Sequence, residues 1–217
     1  MSDVLTKPII IDLVADVVCP YCYLGWGRLK AAIAARPGLE THVNWRPFQL
    51  NPDMPAEGVD TKQHMARIIP DPARLKMAHD NLAQQGAALG LDFQFDKIQR
   101  EPNTSGAHRL ILWALQAGKQ NAAVEALFRA HFTEGRFIAD PEVLADIGAE
   151  IGLDRALVAA KLAAGAEVDF VRDAHAMAVR TGITGVPCTI FNSRFALMGA
   201  EAPERYLQAL DQAAAEA

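Results

Sequence analysis

Cysteine is scarce in this chain. Three occur among 217 residues, Cys19, Cys22 and Cys188, and an odd, low count does not build a disulfide framework. Long apolar runs are missing too. No stretch reaches the roughly 18 residues of a membrane span, so a membrane is not an expected partner. Charge of one sign is also lacking: 21 Lys and Arg stand against 26 Asp and Glu, a net charge of −5, with no long run of either sign. That balance argues against a phosphate-binding surface and against nucleic acid as a partner. The N-terminus, MSDVLTKPIIIDLVADVVCP, lacks the basic start, long apolar middle and small-residue cleavage site of a signal peptide. The expected compartment is the cytoplasm, where reactive thiols or a metal are the roles left for the cysteines.

What the chain has is apolar mass. Such residues make up 51% of it, enough to bury a core in one domain, or in one domain with an insertion. PIIIDLVAD (8–16) is β-branched after a proline and predicts a buried strand. From Cys19 the period changes. Tyr23, Trp26, Leu29, Ala32 and Ile33 recur at helical spacing, Pro20 suits a first turn, and RPGLE stops the helix near Arg36. THVNWRPFQL (41–50) alternates as a second strand, and NPDMPAEGVD (51–60) reads as loop. The opening is therefore a βαβ unit with its cysteines where strand meets helix.

Helical patterns fill the middle, with short connectors and good caps such as Asp140 and Asp154. LDFQFDKIQREP (91–102) interrupts them as an extended or irregular stretch. Then VPCTIFN (186–192) and FALMG (195–199) flank SR as a hairpin, and APERYLQALDQAAAEA closes the chain as a helix. This order predicts an α/β fold. Residues 1–60 and 181–217 form one discontinuous domain around a large all-helical insertion, 61–180.

The cysteine spacing is the strongest chemical signal. Positions i and i+3 in a first helical turn face the same way, with Cα atoms roughly 5–6 Å apart, within disulfide range. Cys19, at the helix N-terminus, meets unpaired backbone N–H groups and the positive end of the dipole, which favours its thiolate. Cys22, one turn in, is expected to be more buried. The pair divides into an attacking and a resolving thiol. A zinc site needs about four ligands. Beyond this one CxxC there is a single further cysteine, and the histidines at 42, 64, 79, 108, 131 and 175 are scattered, so no metal is expected. His108, His131 and His175 lie on helical patterns and read as packing or surface residues.

TGITGVPC (181–188) adds a second signal. X–Pro bonds are the ones that adopt the cis form. A cis Pro187 facing the cysteines leaves the backbone of Val186 free to pair with an extended substrate. Pro20, Tyr21 and Val186 are the expected substrate-contacting residues. Tyr21, Trp26 and Phe48 are groove candidates, although the helical period already assigns Trp26 to the packed face. Cys188 has two readings, a small buried hydrophobe or a modulator of the redox pair.

Taken in order, CPYCYLG, WRPFQLNPDMP, PNTSGAHRL, FTEGRFIADPEVL, GITGVP and LMGAEAPE resemble the DsbA family of thiol–disulfide oxidoreductases, in its FrnE-like branch. The resemblance covers residues 8 to 212. It implies a thioredoxin-like fold (βαβ…ββα) with a helical insertion. Cys19 is then the nucleophile, Cys22 the resolving thiol and Pro187 the cis proline. It further implies exchange through a mixed disulfide with protein or small-molecule thiols and disulfides. No cofactor is implied, with glutathione a candidate redox partner. A related branch stays open as the alternative: the glutathione-dependent 2-hydroxychromene-2-carboxylate isomerases and kappa-class transferases, which typically place serine where Cys19 stands. A redox-sensing holdase is the non-enzymatic alternative. Monomer and homodimer both remain open, as do substrate, direction and reduction potential.

Overall fold

The computed structural model describes residues 7–216. The outermost residues of the expected domain, 1–6 and 217, lie outside them. The first strand, β1 (Ile9–Ala15), alternates inward Ile9, Ile11 and Leu13 with exposed Ile10 and half-buried Asp12. Helix α1 (Pro20–Ala34) follows at once, and β2 (Thr41–Pro47) returns parallel to β1. Far along the chain, β5 (Cys188–Phe191) pairs antiparallel with β1, and β6 (Phe195–Met198) pairs antiparallel with β5. The sheet order is β2-β1-β5-β6. Helix α9 (Pro203–Ala215) then packs against α1. This is the thioredoxin-like βαβ…ββα arrangement, mixed α/β, with most residues helical.

Strand β2 is shorter than its alternation suggests. Beyond Pro47 the Phe48 N–H still reaches the Ala15 carbonyl. Then the Gln49 N–H donates to His175 Nδ1 at 3.2 Å and the Leu50 N–H to Asp16 Oδ2 at 2.8 Å. Side chains take over the backbone donors, so the ladder ends. The hairpin reverses at Asn192 and Ser193, both left-handed (φ 49° and 55°), rather than at Ser193 and Arg194. Such paired positive φ values match the strand twist. The Asn192 side chain accepts from the Ile10 N–H at 2.9 Å and donates to the Ala213 carbonyl at 3.1 Å, tying the turn to β1 and α9.

Between β2 and β5 run α2 (Thr61–Ile68), α3 (Pro72–Ala87), α4 (Ser105–Gln116), α5 (Gln120–Phe128), α6 (Pro141–Glu150), α7 (Arg155–Ala163) and α8 (Val168–Arg180). Asp140 and Asp154 cap α6 and α7 by accepting from the N–H groups of Glu142 and Leu157. Helix α5 runs into a π-helical turn over Arg129–Thr133. The two stretches read as loop and irregular chain meet. Their ends, β3 (Val59–Asp60) and β4 (Arg100–Glu101), form a two-residue antiparallel ladder.

The core does not stop at the sheet. Tyr23 of α1 stacks on Phe128 (4.8 Å between centroids) and Phe132 (5.7 Å), and Trp26 meets Trp45 edge-on at 5.1 Å. One apolar cluster therefore runs from β1 and α1 into α4, α5 and α6. A smaller cluster of Val14, Phe48, Ala178 and Cys188 lies apart from it. No described helix is long and apolar enough to cross a membrane.

Candidate active site

Cys19 is the N-cap of α1, extended at φ −87° and ψ 113°, with Pro20 in the first helical turn. Its N–H donates to the Asp16 carbonyl at 3.1 Å. Its thiol donates to the Val186 carbonyl at 3.7 Å. The Val186–Pro187 bond is cis. Residues 167 positions apart are thus brought into contact by the β1–β5 pairing. Gly25 permits the approach: a Cβ there would stand 3.1 Å from Pro187 Cγ and 3.2 Å from Tyr206 Oη.

The two thiols differ in surroundings. Cys19 keeps 4% of its surface exposed and Cys22 none. Burial pushes the Cys22 thiol well up. The neighbouring Cys19 sulfur pushes the same way; a backbone hydrogen bond from Asp16 opposes it, and the Asp16 charge adds a smaller upward push. Pro20 is half-buried, Tyr21 is 49% exposed, and Val186 is half-buried. Of the three groove aromatics only Tyr21 is open. Trp26 and Phe48 are core, Trp26 donating through Nε1 to Glu125 Oε1 at 3.0 Å. Cys188 packs with Val14, Phe48 and Ala178, in a different cluster from Cys19 and Cys22.

Buried and half-buried polar groups lie near the pair, and periodicity did not single them out. Asp16 is fully buried. Its Oδ1 lies 3.3 Å from His108 Nε2, but that nitrogen's hydrogen is committed to the Phe48 carbonyl at 2.9 Å. Oδ1 is left without a hydrogen bond of its own. His131 is buried, which drives its pKa down to about 4 against a weak upward pull from Asp16. Glu101, on β4, has its pKa raised by burial. The sequence signal for Asp16 was its place, an acid inside an apolar stretch three residues before the first cysteine. Glu101 and His131 carried none.

Fold and site together define a thioredoxin-fold protein with a paired-cysteine helix start facing a cis proline. Residues 10–211 match the DSBA-like thioredoxin domain, and the chain belongs to that family. It is a DsbA-like thiol–disulfide oxidoreductase. A probable DsbA oxidoreductase from Streptomyces coelicolor is similar at 31% identity, with a TM-score of 0.87 over 96% of this chain and 91% of that one. The uncharacterized protein YwbO of Bacillus subtilis is 28% identical over 83% of this chain and 85% of its own length. The fold is also shared with the cytosolic disulfide reductase DsbM of Pseudomonas aeruginosa, a structure solved with GSH. There the identity is 23%, the TM-score 0.62, and the match covers 95% of this chain and 96% of that one.

Proposed function

We propose that the chain exchanges dithiols and disulfides through Cys19 and Cys22. As a reductant, the Cys19 thiolate attacks a substrate disulfide, forms a mixed disulfide and expels one substrate thiol. Cys22 then loses its proton and attacks the Cys19 sulfur. The second substrate thiol leaves, and a Cys19–Cys22 disulfide remains. Two electrons have passed to the substrate, and the reverse sequence oxidises a dithiol. The observation that carries this reading is the asymmetry of the pair: Cys19 at the open helix end against the Val186 carbonyl, Cys22 sealed beneath it. The backbone of Val186 lies ready to pair with an extended substrate.

The resemblance of the ordered motifs supports a reading of the chain as a member of the FrnE-like branch. A cytoplasmic setting, with its reducing poise, favours the reductase or isomerase direction. Its substrates are protein or small-molecule disulfides, with glutathione as the candidate electron donor.

The test is a redox titration in graded glutathione buffers, with free thiols alkylated and counted by mass. A reversible two-thiol transition, absent in Cys19→Ser, is expected. No such transition, with glutathione held only non-covalently, would turn the reading to the glutathione-dependent isomerase and transferase branch.

A further inference from the structure

A cavity of about 80 Å³ opens beside the cysteines, between the start of α1 and the segment carrying the β3–β4 ladder. Val18 and Pro20, the two neighbours of Cys19, line one side of it. Thr61, Glu101 and His131 face it from the others. The ladder sets this up: Glu101 pairs with Val59, and the Thr61 N–H donates to the Gln99 carbonyl.

Thr61 and Glu101 have few partners besides each other. Thr61 Oγ1 is buried against the Glu101 carboxyl, whose anion its hydroxyl favours, and has no other hydrogen-bond partner among the described residues. His131 is 2% exposed and lines the cavity. Glu101 has no ion pair among the described residues. The nearby cations are occupied elsewhere: Lys97 Nζ donates to the Thr133 carbonyl at 3.0 Å, and Arg100 donates to the Glu57 carbonyl and covers the Phe137 ring. A second carboxylate, Asp16, acts on both Glu101 and His131. The His131 ring is neutral at pH 7, since its pKa is held near 4. Among the described residues the cavity is lined by the Glu101 carboxyl, the Thr61 hydroxyl, the His79 and His131 rings and apolar side chains, and by no Lys or Arg.

We propose that Thr61, Glu101 and His131 form a subsite for an ammonium group carried by the substrate thiol or disulfide, next to the sulfur that Cys19 attacks. An ammonium is about the size of a water. It brings three donors and a positive charge, which answer the carboxylate, the hydroxyl oxygen and the unprotonated ring nitrogen together. The inference rests on the exchange reading above and names the substrate class: amine-bearing disulfides in preference to neutral ones.

The probe pair is cystamine and bis(2-hydroxyethyl) disulfide, which exchange an ammonium for a hydroxyl. Rate constants for oxidation of the pre-reduced protein are measured with each, by quenching and counting thiols. The ratio of the two is expected to fall about tenfold in Glu101→Gln, the loss of one charge-assisted contact. Thr61→Val is expected to lower it in the same direction. A ratio unchanged in both variants overturns the subsite. A second measurement needs no exchange: calorimetric titration of Cys19→Ser with cystamine. Binding weakened about tenfold by Glu101→Gln supports the subsite even if the exchange chemistry fails. No binding, or binding indifferent to Glu101→Gln, removes it while leaving the dithiol reading intact.

Discussion

Cys22 loses its proton reluctantly, because burial, the Cys19 sulfur and the Asp16 charge all oppose a thiolate there. Its role as resolving thiol follows from that burial, and so does what its removal does. Cys22→Ser is expected to stop the reaction halfway and accumulate a mixed disulfide on Cys19, seen as a mass adduct of glutathione or substrate. If Cys22→Ser carries no adduct under conditions that oxidise the wild type, the roles are wrongly assigned. The Asp16 charge makes a separate expectation. With Cys19→Ser as background, Asp16→Asn removes a negative charge that disfavours the Cys22 thiolate, so the pH midpoint of Cys22 alkylation moves down. An unmoved midpoint would mean that Asp16 does not act on this thiol. Cys19, Cys22 and Pro187 were legible in the sequence because each announces itself locally, by spacing or by residue type. Asp16 was legible only by its place before Cys19, and His108, Glu101 and His131 were not. Their meaning lies in which lone pairs are left unmatched once distant segments meet, and no period encodes that.

The elements divide along the same line. Helices α6 and α7 could be read from Asp140 and Asp154, since a cap satisfies an N–H two or three residues away. The β3–β4 ladder could not. Two residues show no alternation, and their partners lie across α2 and α3. The ladder depends on Gly58, left-handed at φ +69°, where a Cβ would run into the Glu101 carbonyl oxygen and the Phe137 ring. Gly58→Ala therefore meets both the left-handed penalty and a clash with backbone. Its expected cost is about 1–2 kcal/mol or more, read as a lower urea midpoint at unchanged slope. Because the displaced strand carries Glu101, the cystamine ratio should fall as well. A midpoint within error of the wild type would show that the segment yields freely and does not hold Glu101 in place.

At the scale of the whole molecule, one core joins the sheet to the helices through Tyr23, Phe128 and Phe132. The alternating strand, helix and hairpin segments made the thioredoxin-like order legible. The continuity of the core was not, because it depends on aromatic contacts between α1 and the end of α5. His131 sits at that junction, in the π-helical turn after α5, edge-on to Phe132 at 4.7 Å. Its protonation should be felt by the entire fold. Burial lowers the ring from 6.5 to about 4 in the folded state. The unfolded chain therefore binds a proton that the folded chain refuses over that interval. The stability contributed by the neutral ring is complete above pH 6.5 and drains away as pH falls towards 4, by about 3 kcal/mol in total. The lowered values of His64 and His79 act in the same direction, while the raised Glu101 opposes them. Those three remain in His131→Gln, so the difference between wild type and variant isolates His131. Urea unfolding at pH 7 and at pH 4 is the measurement. The wild type should lose about 3 kcal/mol more than His131→Gln between the two. Equal losses would mean that the ring finds a partner or a proton in the folded state. The cavity beside Cys19 would then lack the neutral acceptor on which ammonium recognition depends.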